Sequence, residues 1–175
     1  YLTITTFDNV AEKMPGYSAA KLGGTLPAIN YTCLEPRNTT RLVDTAVECL
    51  LDQNRRVRNL RKKFSREVKG LSPKILQIFC LVTDGMDNES RLFTPAVLNR
   101  YLREMQEMGG VAMFLGAGQD AVQSGKKYGF DSGHSMTYTS KGKHAASALR
   151  AVSDNMARAS SGSQNTQFSN IQRTK

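Results

Sequence analysis

Residues 75–82 read Ile-Leu-Gln-Ile-Phe-Cys-Leu-Val and stop at once in Thr83-Asp84-Gly85. A short, nearly unbroken apolar run ended by a turn signal predicts a strand buried on both faces, as in parallel sheets. Residues 111–115 repeat the pattern and leave through Gly116-Ala117-Gly118. Between the two runs, Thr94-Pro95 predicts a helix start, with Thr as N-cap and Pro in the first turn. That helix carries Val97, Leu98, Tyr101, Leu102, Met105 and Met108 on one side and stops at Gly109-Gly110. Both methionines are expected as core filler. A strand, a helix and a second buried strand in this order predict a βαβ unit.

The rest of the chain extends the alternation. Residues 2–7 alternate and are rich in β-branched side chains, predicting a strand that ends at Asp8-Asn9. Residues 28–34, bracketed by Pro27 and Pro36, predict a short edge strand. Leu42, Val43, Ala46, Val47, Leu50 and Leu51 recur at helical spacing. A helix over 120–128 closed by Gly129, a strand over 135–138 and a helix over 145–159 complete the pattern. From Ser160 the composition turns polar, so residues 160–175 are expected as a flexible tail. The fold class is therefore α/β: a doubly wound, mostly parallel sheet flanked by helices, forming one domain over residues 1–159.

Charge is concentrated in one place. The chain of 175 residues has a formal net charge of +9, from 24 basic and 15 acidic residues. Residues 53–74 hold Arg55, Arg56, Arg58, Arg61, Lys62, Lys63, Arg66, Lys69 and Lys74 against the single acid Glu67. Val57, Leu60, Phe64, Val68 and Leu71 recur there at helical spacing, predicting a basic helical insertion with a narrow apolar stripe. Such a helix is either a solvated face packed on its own domain or a surface for an acidic partner, a nucleic-acid backbone or an anionic membrane. With Phe64 as its one aromatic and no reader motif, it does not suggest sequence-specific nucleic-acid recognition.

Several chemistries find no support. Gly116-Ala117-Gly118-Gln119-Asp120-Ala121 matches the dinucleotide fingerprint, but no acidic residue follows near 138–140 to hold a ribose. No nucleophile elbow, P-loop or Cys/His zinc spacing occurs, and His134 and His144 lie in polar, loop-like surroundings where surface roles are expected. Cys33, Cys49 and Cys80 are an odd set without framework spacing, which suits a reducing, intracellular setting. No apolar run approaches the ~18 residues of a membrane-crossing helix.

In open α/β sheets, ligands sit beyond the carboxyl ends of the strands. That rule selects Asp8, Asp84 and the Gly116 loop. Asp84 follows the buried strand, and Thr40 precedes the first helix. A carboxylate and a hydroxyl so placed suit a hard cation such as Mg²⁺, which takes oxygen ligands and keeps several waters.

These residues also carry a family resemblance. Val82-Thr83-Asp84-Gly85-Met86-Asp87-Asn88 resembles the T-D-G signature of von Willebrand factor A domains, and Thr40-Arg41-Leu42-Val43-Asp44 resembles that family's T-x-L-x-D-A helix start, with Thr45 in place of Ala. Residues 2–7 look like the strand preceding it, Phe114-Leu115-Gly116-Ala117-Gly118 like the later strand and its Gly turn, and residues 115–128 like small intracellular or phage-type members. The resemblance implies a metal-ion-dependent adhesion site in which Thr40 and Asp84 are metal ligands and a carboxylate on a protein partner completes the coordination. The implied role is protein–protein binding and assembly rather than catalysis. The family's D-x-S-x-S motif ends a first, central strand, which would precede Leu2 and is missing from this sequence. Another stretch of a longer polypeptide, or another chain, would then supply it. The alternative expectation is a metal-free structural subunit of a large assembly, such as a virus or phage particle, docking through the basic helix.

Overall fold

The computed structural model describes residues 1–14, 17, 39–68, 74–118, 120–139 and 142–169. Its centre is a three-stranded parallel sheet of β3 (Ile78–Thr83), β4 (Val111–Ala117) and β5 (Ser135–Tyr138), in that order. Ile78 pairs with Val111 and Thr83 with Gly116, while Phe114 pairs with Ser135 and Ala117 with Tyr138. Helix α2 (Pro95–Glu107) connects β3 to β4, and α3 (Ala121–Tyr128) connects β4 to β5. Two successive βαβ crossovers thus bring three carboxyl strand ends to one edge.

Side-chain alternation along β4 separates two cores. Ala112 and Phe114 join Leu98, Leu102 and Met105 of α2, Ala121 and Tyr128 of α3, and the buried face of α1 (Leu42–Glu67). Met113 and Leu115 point the other way, to Met136 and to Ala148, Ala151 and Val152 of α4 (Gly142–Ser160). Helices therefore cover both faces of the sheet, and β4 is buried on both as its apolar run predicts. The fold is mixed α/β with a parallel sheet flanked by helices.

The β3 strand differs from expectation. It was expected to be buried throughout, yet Val82 is 37% exposed. Its edge away from β4 pairs with no other strand among the described residues. A separate hairpin of β1 (Thr5–Phe7) and β2 (Ala11–Lys13) packs against α1 instead. The second strand of that hairpin has no clear sequence signal. It forms because Asp8 caps the turn, its Oδ1 accepting from Val10 N at 2.9 Å. Lys13 then reaches Asp52 of α1 at 2.9 Å, and that hydrogen bond holds the Asp52 carboxyl below its ordinary pKa.

Helix ends follow local chemistry. Asp120 caps α3 by accepting from Val122 N and Gln123 N, and Gly129 ends it with φ 100°, a left-handed conformation that favours glycine. Gly125 lets α3 approach the sheet: an added Cβ would lie 2.6 Å from Ser135 Oγ and 3.2 Å from Phe114 Cδ1. Thr94 precedes α2 as expected, but its carbonyl rather than its hydroxyl serves the turn, accepting from Val97 N and Leu98 N.

Three further expectations are revised. The apolar helix from Leu42 and the basic segment form one continuous helix, α1, about 39 Å long at 1.5 Å per residue. The chain beyond Ser160 is docked as far as Ser169: Phe168 is buried, and Phe168 N donates to Gly133 O at 2.9 Å. His134, expected at the surface, is mostly buried beneath that segment, with Nε2 2.9 Å from Thr166 Oγ1. The edge strand expected over 28–34, Leu71, Lys69 and Cys33 lie outside the described residues.

Cys49 and Cys80 are free thiols. Burial pushes the Cys80 thiol up to about 12. Since the thiolate is the nucleophile, native Cys80 should alkylate about 10³-fold more slowly at pH 8 than in the urea-unfolded chain. Peptide-resolved iodoacetamide labelling measures this, and equal rates would show that β3 opens freely.

Candidate functional site

The candidate site lies beyond the carboxyl end of β3, where the loop of residues 84–93 meets the start of α1. Helix α1 begins without a side-chain cap of its own. The loop provides one instead. Asp87 Oδ1 accepts from Val43 N at 3.3 Å and from Ser90 Oγ at 2.6 Å, and Ser90 Oγ in turn accepts from Asp44 N at 2.9 Å. Free N–H groups at a helix start need such acceptors.

Thr40 is fixed by the same loop. Its N–H donates to Asn88 Oδ1 at 2.7 Å, and its carbonyl accepts from Asn88 N at 3.0 Å and Glu89 N at 3.2 Å. Its hydroxyl lies over the turn after Asp84, since a Cβ on Gly85 would stand 3.6 Å from Thr40 Oγ1. Thr83 Oγ1 shapes this turn by accepting from Gly85 N at 3.2 Å. The structure thus brings the two sequence-predicted metal-site residues, Thr40 and Asp84, to one side of the sheet edge. Asp84 is exposed and Thr40 half-buried.

The residue that anchors this arrangement is Asp44. It is 2% exposed, and its carboxylate accepts from the main-chain N–H groups of Arg91, Leu92 and Phe93 at 2.9, 3.1 and 2.8 Å. Arg41 Nη2 stands 3.6 Å away and also binds Glu48 at 2.9 Å. Asp44 is conspicuous in sequence as a carboxylate among Val43, Ala46 and Val47, but nothing local shows its partners, which lie 47 to 49 residues on.

Two tyrosines border the site. Burial raises the Tyr138 pKa, and the nearby Asp84 charge adds to the rise. Burial also raises that of Tyr128, while a hydrogen bond from the Asp87 main chain opposes it. Met86 and Leu92, 64% and 69% exposed, place apolar surface on the same loop. Asp8, selected by the strand-end rule, tethers the chain before α1, its carbonyl accepting from Arg41 N at 2.7 Å.

No family model, curated protein or solved structure matches this chain. Among the described residues no three His, Cys, Asp or Glu side chains gather as a metal cluster. Thr40 and Asp84 offer a hydroxyl and a carboxylate, oxygen donors that fit a hard cation retaining most of its water.

The basic surface lies elsewhere, on the second half of α1. Arg55, Arg58, Lys62, Lys63 and Arg66 are exposed, and Arg56 and Arg61 are half-buried. Arg56 pairs with Asp52 at 3.2 Å, Lys63 approaches Glu67 at 3.8 Å, and Arg61 Nη1 lies 3.9 Å from Met108 Sδ. Met108, expected in the core, is 45% exposed beside that arginine, whereas Met105 is fully buried. No helix among the described residues is long and apolar enough to cross a membrane.

Proposed function

We propose that the chain is a protein-binding and assembly module of von Willebrand factor A type, whose contact face is the loop following β3. The observation that carries this is the clamping of Thr40 by Asn88 and Glu89, with its hydroxyl over the Asp84–Gly85 turn. In this proposal a divalent cation such as Mg²⁺ is held by Thr40 and Asp84, and a partner carboxylate completes its shell. The cation supplies positive charge that an acidic side chain can recognise. Exposed Met86 and Leu92 supply apolar contact beside it.

The doubly wound sheet belongs to the same proposal. A further strand beside β3 would cover its open edge and lie toward β1, because Phe7 of β1 and Phe79 of β3 pack against one core. Such a strand, ending in D-x-S-x-S, would add oxygen ligands to Thr40 and Asp84. The proposed setting is intracellular and the proposed role is not enzymatic.

Mn²⁺, standing in for Mg²⁺, gives the test. Water-proton relaxation should report binding in the millimolar range, as for cation sites with few protein ligands. Asp84→Ala and Thr40→Ala should each abolish it while leaving the thermal melt unchanged. Relaxation that survives both substitutions overturns the site.

A second reading, a metal-free structural subunit docking through its basic helix, is supported by the exposure of α1 beyond Val57. Under it, assembly survives chelation and fails on charge reversal of that helix.

A further inference from the structure

The part of α1 beyond Val57 does not pack as a core helix. Leu42, Val43, Ala46, Val47 and Leu50 are fully buried under the sheet, whereas Phe64 is 45% and Val68 36% exposed. From Arg58 to Val68 only Leu60 and Arg61 are even half-covered. This stretch overruns the body of the domain, so the stripe of Leu60, Phe64 and Val68 has little to pack against.

Its charges are ordered around the helix. At 3.6 residues per turn, Arg55, Lys62 and Arg66 fall within about 40° of one another, with Arg58 about 60° to one side and Lys63 about 80° to the other. The apolar stripe lies on the opposite side, continuous with buried Val57 and Leu50, so the basic face points away from the domain. Arg55, Arg58, Lys62 and Arg66 make no ion pair among the described residues. The only acid on the projecting segment, Glu67, is beside Lys63.

We infer that this projecting helix binds the phosphate backbone of duplex nucleic acid, without reading base sequence. The inference is independent of the cation site, and it gives the basic helix a partner chemistry. A helix with side chains is about 10–12 Å across, and the major groove of B-form DNA is about 12 Å wide. A helix exposed nearly all round can enter such a groove, where phosphates border it on both sides. Arg58 on one flank and Lys63 on the other suit those two rows, with Arg55, Lys62 and Arg66 between them. Long arginine and lysine side chains reach phosphates, and the basic face lacks the aromatic platforms that hold unstacked bases. A bilayer surface would instead favour a broad apolar face, and the exposed apolar surface of this segment is confined to Phe64 and Val68.

Fluorescence anisotropy of the 175-residue chain with labelled 20-base-pair duplexes of two unrelated sequences tests the inference. Five phosphate contacts give a slope of roughly −4.5 in log K against log salt, so affinity should fall about 500-fold between 50 and 200 mM salt. Both sequences should bind alike. Arg58→Glu/Lys62→Glu/Arg66→Glu should weaken binding at least about 100-fold at 50 mM salt, with an unchanged circular-dichroism melt. Arg100→Glu/Arg103→Glu/Lys127→Glu makes the same charge change on α2 and α3, and should cost less than about threefold. Equal loss in the two variants would assign binding to net charge and overturn the inference. So would retention of the duplex by the α1 variant, or equal or tighter binding of polyglutamate or phosphatidylserine vesicles at the same salt.

Discussion

Replacing Asp44 by Ala should cost the fold about 3–5 kcal/mol, a loss readable in urea unfolding followed by circular dichroism. The carboxylate is buried and serves three consecutive main-chain N–H groups, those of Arg91, Leu92 and Phe93. Removing it leaves those donors without their acceptor and leaves Arg41 without one of its two carboxylates. Buried donors that lose their acceptor cost more than the bond itself contributes, because no water replaces it. For a chain of this size the loss corresponds to a fall in Tm of roughly 6–20 °C. Asp44→Asn keeps one acceptor oxygen and should lie between the wild type and Asp44→Ala. A cost below about 1 kcal/mol for Asp44→Ala would mean that water already reaches those N–H groups.

The same substitution separates anchoring from binding. Asp44 is buried behind the loop, so at the proposed cation site Asp44→Asn would act on Mn²⁺ only by loosening the loop that carries Asp84. The expected result is weakened Mn²⁺ binding together with a lowered melt, whereas Asp84→Ala removes binding and leaves the melt alone. Asp84 is exposed and Asp44 is not, which is the physical basis of that split.

How much of this was legible in sequence follows the range of the interactions. The β3–β4–β5 sheet and its crossovers are marked locally, by apolar runs for the strands and by Thr94-Pro95, Asp120 and Gly129 for the helix ends. Asp84 is found by the strand-end rule, and Thr40 by its place just before the first apolar helix. The network joining them is not, because Asp87, Asn88 and Ser90 meet α1 across 44 to 48 residues of chain. Apolar residues thin out after Leu51, so the sequence pattern divides α1 into an apolar and a basic segment. The backbone nevertheless continues, with Asp52 and Arg56 paired one turn apart and Gln53 Nε2 donating to Ile78 O at 3.1 Å. Phe168 is one aromatic in a polar run, and only the apolar cluster of Met113, Leu115, Met136 and α4 makes it an anchor.

Phe114→Ala should cost about 3–5 kcal/mol and leave Phe114→Leu at about 1–1.5 kcal/mol. Phe114 is completely buried at the centre of β4, with ring centroids 5.3 Å from Phe130 and 6.2 Å from Tyr128. Phe130 in turn stacks on Phe79 of β3 at 6.3 Å. One ring therefore joins the sheet, the end of α3 and the segment after it. Alanine opens a void that the strand cannot close, because Gly116 pairs with both Thr83 and Thr137 and holds β4 in register between its neighbours. The void also lies beside Tyr128, whose hydroxyl is bonded to the Asp87 main chain. Disturbance in the core then has a direct route to the loop that bears Asp84. Amide exchange would show it: in Phe114→Ala, protection should fall at Val43 and Asp44, whose N–H groups are held by Asp87 and Ser90, by more than at Val122 and Gln123, which Asp120 caps locally. A uniform fall at all four positions would mean that the core and the loop are linked only through global unfolding.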